Sequence, residues 1–441
     1  MRDIALTVFF LGLLPFIFKR PYIGALVWAW LSMMNPHKLT FGFAYSLPFA
    51  YITALVTLSV FLFTQKKYQF PWNGVTRVHL TFLLWMCVTS FFAMNTPQIV
   101  GDRMLFVAKI QLMIFVTLML IRGREQIEHL IWVITFSVGF YGIKGGIWTV
   151  TTGGGGRVWG PPGGMIEGNN ELGLALVILL PFMYYLHQVA QRKWLRYALM
   201  ACLTLMVFSI LGSQSRGALL GLLAMAFVLG LKGNKPVQTS LILIALLAAA
   251  VAFMPDSWTD RMDTITSYQE DGSAMSRIYT WKTLWNLALD RPLVGAGFAT
   301  DNPIVFARYA PAGVGNYTAG GAIFVAHSIY FQALGEHGFP GLFLYVMLGV
   351  MTWRMAGRLA RECKDDPEYA SWVPLLMRMA QVSLIGFATG GAFLTLVHFD
   401  LPYYIVAIVV LVAATVRERK NKPGGVGSAM PDITQRLMGA P

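Results

Sequence analysis

Apolar residues fall in long unbroken runs, at roughly 4–18, 22–35, 45–64, 77–95, 104–121, 129–150, 172–187, 195–212, 217–231, 238–255, 339–357, 376–397 and 401–416. A helix needs about 20 apolar residues to cross a ~30 Å hydrocarbon core, where the backbone must satisfy its own hydrogen bonds. The pattern therefore predicts an all-α polytopic membrane protein of about 12 helices, or about 13 if the first two runs both cross. Those two runs are short. Fifteen helical residues rise only ~22 Å, so 4–18 and 22–35 read as two tilted spans or as one broken, partly re-entrant element.

One stretch breaks the pattern. Between the runs ending at 255 and starting at 339 lie Asp256, Asp260, Arg261, Asp263, Glu270, Asp271, Arg277, Lys282, Asp290, Arg291, Asp301 and Arg308, laced with Trp258, Trp281 and Trp285. This predicts transmembrane helices with short loops over 1–255, one large polar loop with short helices over 256–338, C-terminal transmembrane helices over 339–420, and a tail over 421–441. Lys and Arg cluster in alternate loops: Lys66-Lys67, Arg122/Arg124, Arg192-Lys193/Arg196, Lys232/Lys235, Arg354/Arg358/Arg361/Lys364 and Arg417/Arg419-Lys420. Such clusters face the cytoplasm. The 151–171 loop, Arg216, the 256–338 segment and His398/Asp400 then face outward, and the Pro- and Gly-containing tail is a disordered cytoplasmic one.

Composition agrees and narrows the class. The chain is 56% hydrophobic and 12% charged, against about 25% charged in soluble domains. Its net charge of +13 is spread over short loops, which points to orientation and anionic lipid rather than nucleic acid. Cys87, Cys202 and Cys363 show neither disulfide nor zinc spacing. The N-terminus resembles a signal peptide, yet it lacks a small-residue cleavage site and runs into Lys19-Arg20-Pro21, so it reads as retained. No Gly-x4-Gly-Lys-Ser/Thr motif for ATP is present.

Candidate chemistry lies on the outward face. External loops should be poor in Lys and Arg, yet Arg103, Arg157, Arg216 and Arg277 stand there singly, mostly at span mouths. A phosphate-bearing ligand is the natural partner for a planar guanidinium fork. Arg157 sits in the glycine-rich stretch Gly153–Gly164, whose backbone can approach an oxygen-rich ligand closely; the bland alternative is a turn. Arg216 follows Ser213-Gln214-Ser215 and opens an apolar helix, where a cation opposes the helix dipole unless an anion is bound. Arg277 lies on a Trp-rich amphipathic stretch that reads as an interfacial helix. His327 opens a short helical run ending at Glu336-His337-Gly338. Either histidine suits the role of base toward a hydroxyl, oriented by Glu336 or a backbone group.

These residues carry a resemblance. His327-Ser328, nine residues, Gly338, two residues and Gly341 match the spaced motif of bacterial O-antigen ligases. Ser215–Ala218 and the Arg277, Trp281, Pro292, Gly295-Ala296-Gly297 series resemble the domain those ligases share with Wzy-type polymerases. The opening, Met1–Ala5 through Asn35–Lys38, is similar to O-glycosylation ligases of exosortase-associated clusters. The resemblance implies a membrane-embedded glycosyltransferase of the C type in the bacterial inner membrane. Its donor would be an undecaprenyl-diphosphate-linked glycan and its acceptor the lipid A–core at the periplasmic face, with inversion and neither cofactor nor metal. It carries diphosphate binding onto Arg216 and Arg277 and the motif histidine onto His327, with His337 a rival. Within the same chemistry the acceptor could be a further repeat unit or a protein hydroxyl. A lipid or glycolipid transporter is the alternative from another class, disfavoured by the few charges inside the runs and the lack of an internal repeat.

Overall fold

The computed structural model describes residues 1–64, 68–231, 248, 252, 254–255, 272–314, 317–318 and 320–420. The Lys66-Lys67 and Lys232/Lys235 clusters, most of the 238–255 run, the acidic stretch 256–271 and the tail from 421 lie outside the described residues.

The helices are α1 (Arg2–Lys19), α2 (Tyr22–Met34), α3 (Phe49–Phe63), α4 (Gly74–Ser90), α5 (Pro97–Leu120), α6 (Gly123–Thr151) and α7 (Asn169–Val189). They continue as α8 (Lys193–Gly212), α9 (Arg216–Leu231), α10 (Gly272–Asp290), α11 (Pro303–Tyr309), α12 (Ile329–Glu362), α13 (Val373–Gly390) and α14 (Asp400–Lys420). No strand occurs among the described residues, only an isolated bridge between Val314 and Tyr317. The described residues are therefore all-helical, as the runs predict. Among the described residues seven helices, α5 to α8 and α12 to α14, are long and apolar enough to cross a membrane, and α2, α3 and α9 are shorter apolar helices. The first two runs form separate helices, split where Pro21 removes a backbone donor.

The bundle is built around helices that are apolar on every side. From Leu172 to Leu186 nearly every residue of α7 is buried, and α14 is buried from Leu401 to Val412. A helix that is hydrophobic all round belongs inside a bundle. By contrast α8 turns Trp194, Tyr197 and Met200 outward.

The described basic clusters gather at one end. Arg122 pairs with Glu418 at 3.4 Å, and Arg419 meets Asp366 at 3.2 Å and Glu368 at 2.9 Å. These contacts bring the α5–α6 turn, the α12–α13 loop and the end of α14 together. At the opposite end Asn95 reaches Ala299 O, Val158 N–H bonds Gly212 O, and His327 N–H bonds Thr395 Oγ1.

One expectation about a helix end changes and another holds. The run 376–397 is not helical throughout: α13 stops at Gly390, a 3₁₀ turn spans Gly391–Phe393, and a loop follows to Phe399. Hydropathy cannot see this stop, because Leu394, Leu396 and Val397 of the loop are themselves buried. The helical run opened near His327 does break at Gly338, as expected, and a second helical segment follows directly, the two together making up α12.

Candidate functional site

The kink in α12 explains the motif glycines. Gly338 has φ 67° and ψ −172°, outside helical space, in the left-handed half of the map that favours glycine. The break redirects the main chain. Phe339 N–H donates to Pro292 O (2.8 Å), Ala296 N–H to Gly335 O (2.8 Å) and Gly297 N–H to Glu336 O (2.9 Å). The groups freed at the kink are thus satisfied by the 292–297 turn. A Cβ on Gly338 would meet Leu293 O at 2.4 Å, and one on Gly295 would meet Gly335 O at 2.4 Å. Close backbone approach is what both glycines permit.

Beside the kink runs a chain of polar contacts across four elements. Arg157, exposed, donates from Nε to Gln214 Oε1 at 3.3 Å. Ser215 Oγ caps α9 by accepting Ala218 N–H at 3.2 Å, which sets half-buried Arg216 at the helix start. Asn169 at the start of α7 donates to Ser213 O at 2.7 Å. Two residues on, Glu171 lies within electrostatic reach of Arg277, on α10. Arg277 also lies within electrostatic reach of half-buried His327. Burial holds the His327 imidazole down to about 4, and the Arg277 charge adds to that effect. Trp281, one turn beyond Arg277, stacks on Phe331 at 5.2 Å and donates to Ala326 O at 2.9 Å, which locks α10 against the entry to α12.

A second group is buried. Glu336 (5% exposed), His337 (0%) and His398 (8%) face one another. His398 Nε2 donates to Glu336 Oε2 at 2.7 Å, and His337 Nε2 lies 3.7 Å from the same oxygen. Thr89 Oγ1 lies 2.7 Å from His337 Nδ1 and 3.0 Å from Met86 O, so the His337 ring is held at one nitrogen by Thr89 and turns the other toward the carboxylate. Trp85 donates to His337 O at 2.9 Å, and Gln332 Nε2 reaches Glu336 Oε1 at 3.3 Å. The ligand atoms of Glu336, His337 and His398 lie within 4.8 Å of one another, a spacing that would admit a cation. A carboxylate with two imidazoles is a chemically suitable donor set, although 2.7 Å between two of its atoms is a hydrogen-bond distance.

An apolar cavity of about 390 Å³ lies between α12, α13 and α14, with Ile329, Tyr330, Tyr345, Trp353, Phe387 and Tyr403 among its walls. It begins at Ile329 and Tyr330, immediately after His327 and Ser328 in the chain.

Of the residues singled out in the sequence, Arg277 and His327 lie within electrostatic reach of each other, Arg157 bonds Gln214, and Arg216 follows Ser215 at the start of α9. Glu336 and His337 belong to the buried group. Arg103 is exposed on α5 and lies within electrostatic reach of Asp301, which in turn senses Glu336. Glu336 meets His398 more closely than His337, and His398 is the partner the motif missed. Its place at the mouth of the last span, two residues before Asp400, was the available signal. Thr89, Gln332 and Thr395 carried none, being ordinary polar residues in or beside apolar runs.

The fold and this site define a multi-pass helical membrane protein with a cationic, histidine-bearing mouth at one end of its bundle. Residues 201–346 match the O-antigen ligase family, the family that the resemblance names. Residues 1–191 match a family of unknown function. No curated protein matches the chain. The match to residues 201–346 supports an O-antigen ligase- or polymerase-type function broadly.

Proposed function

We propose that the protein transfers a glycan from undecaprenyl diphosphate to a sugar hydroxyl of the lipid A–core, at the periplasmic face of the bacterial inner membrane. Twelve or so spans would carry the periplasmic loop 256–338 between the helices of 1–255 and 339–420, with 421–441 in the cytoplasm. The observation that carries the reading is the pairing of Arg277 with His327. A cation and a neutral imidazole within electrostatic reach, both half-buried, sit at the end of the bundle opposite the described basic clusters.

Arg277 and Arg216, with Arg157 at the rim, hold the donor diphosphate and stabilise the charge that grows on it as the sugar C1–O bond breaks. Arg103, beside Asp301, lines the far side of the mouth. The acceptor oxygen attacks C1 from the opposite face and gives its proton to His327, while undecaprenyl diphosphate departs with the bonding pair. Inversion follows from this single displacement. Donor binding strengthens the base: the diphosphate offsets the Arg277 charge that weakens the free imidazole. His337, fully buried and committed to Thr89, is the less accessible of the two histidines, and Glu336 acts through its hydrogen bonds. The apolar cavity beside Tyr330 suits the few isoprenoid units nearest the diphosphate. No step in this scheme uses a metal.

Purified protein incubated with lipid-linked glycan, with lipid A–core, with a peptide acceptor or with neither, tests the proposal. Growth of glycosylated lipid A–core supports it. Chain lengthening without added acceptor makes the protein a polymerase, glycosylated peptide makes it a protein oligosaccharyltransferase, and loss of no donor under any condition sinks the transferase reading.

A further inference from the structure

His327 has φ 44°, a left-handed conformation that residues with a Cβ adopt rarely and keep only where the surroundings fix it. The surroundings here are the loop between α13 and α14, outside the segment that matches the ligase family. His327 N–H donates to Thr395 Oγ1 at 2.8 Å, Val397 N–H to Gln332 Oε1 at 3.0 Å, and His398 Nε2–H to Glu336 Oε2 at 2.7 Å. Three successive contacts thus join residues 395, 397 and 398 to residues 327, 332 and 336, like a zip laid along the entry to α12. Tyr403 closes the far end by donating to Val397 O at 2.8 Å. The bonds at Gln332 and Glu336 are buried, whereas Thr395 and His327 sit at the half-buried rim.

We propose that Thr395 is the positioning residue for His327, and that the buried Gln332 and Glu336–His398 contacts hold the loop at the height where Thr395 can do this. The proposal rests on reading His327 as the base. In the left-handed conformation the amide of His327 is held by Thr395 Oγ1, so that hydroxyl keeps the backbone angles from which the imidazole projects. Without it the residue can relax toward ordinary backbone angles and carry its ring away from the acceptor oxygen. The buried group then has a task of its own: it is the anchor of the loop, which accounts for why it lies one step behind the mouth.

The test compares Thr395→Val, which keeps the shape and removes the acceptor, with Thr395→Ser, which keeps the acceptor. Full-length protein in detergent is assayed for transfer, with kcat and donor KM measured separately. The valine variant is expected to lose about 10- to 100-fold in kcat with donor KM near that of the parent, and the serine variant to regain most of the rate. Parental kcat in the valine variant, with His327→Ala inactive, overturns the proposal and leaves the base assignment standing. Parental activity in His327→Ala removes the base assignment itself, and the positioning role with it. If the valine variant does not fold, Thr395→Ala against Thr395→Ser makes the same comparison, and equal kcat in that pair overturns the proposal.

Discussion

The mouth and the buried group use similar residues for opposite purposes. Both contain a histidine from the same short motif, ten positions apart in sequence. His327 stands before the helix, half-buried, with Arg277 beside it and its ring in no described hydrogen bond. His337 lies inside the bundle with its Nδ1 on Thr89, its Nε2 toward Glu336 and two aromatic edges around it, Phe82 and Phe298. A histidine surrounded on every side stabilises a fold; one left open to a charged rim is available to a substrate. Chemistry of the residue is the same, and enclosure decides the role.

Substitutions can break this contrast, and the mouth should respond most. Arg277→Ala is expected to lower transfer by about 10²–10³-fold while the protein still enters the membrane, with Arg216→Ala close behind. Arg277→Lys should recover only part of the rate, since an ammonium lacks the two-pronged donor geometry. Wild-type turnover in both alanine variants would remove the diphosphate cradle. His327→Ala should cost about 10²–10⁴-fold in rate with little loss of thermal stability. His337→Ala should show the reverse balance, losing on the order of 1–3 kcal/mol of stability from its buried partners. If instead His337→Ala is the slower enzyme and equally stable, the base belongs in the buried group.

A smaller effect is expected from Gly338→Ala, where the new methyl would meet Leu293 O at 2.4 Å and the backbone angle is strained for alanine. A loss of about 1–3 kcal/mol measured by thermal unfolding would follow, and an unchanged melting temperature would mean the kink can straighten. Acid sensitivity sharpens the contrast further. The His327 imidazole in the free enzyme stays neutral down to about pH 4, so kcat/KM should hold between pH 8 and 5 and fall only near 4. Its lowered value also means that the folded state binds fewer protons than the unfolded one between the usual histidine range near 6.5 and about 4. Stability from this group is therefore full above 6.5 and lost as pH falls through that window. In the donor complex the diphosphate offsets Arg277, so the acid limb of kcat should lie higher than that of kcat/KM. A limb near 6.5 in kcat/KM, or one unmoved by donor, argues against the pairing of Arg277 with His327. Last, a strong chelator is expected to change nothing. Loss of activity on chelation, restored by one added cation, would make Glu336, His337 and His398 a metal site.

The sequence made the helical bundle legible because apolar runs of span length have few other solutions. The grouping of the described basic clusters at one end was legible for the same reason, since their spacing follows the spans. Arg277 and His327 were also readable, as charged or titratable residues stand out against an apolar background. What hydropathy missed was the α13–α14 loop: Leu394, Leu396 and Val397 look like span and are buried like span, yet Gly390-Gly391 ends the helix before them. His398 was read as facing outward, but nothing in residue spacing joins it to Glu336. The spacing also did not show that His327 lies outside the helix, in a left-handed turn. Backbone handedness at one residue leaves no trace in residue spacing.

The stitch at the α12 kink is made wholly of main-chain groups, from Pro292, Ala296 and Gly297 to Gly335, Glu336 and Phe339. Alignment between the outer segment and its span is consequently blind to what the outer segment displays. Leu293 is exposed there, so its side chain can vary while those main-chain bonds persist, provided the hydrogen atoms that stand for side chains at Gly295, Gly297 and Gly338 are left in place.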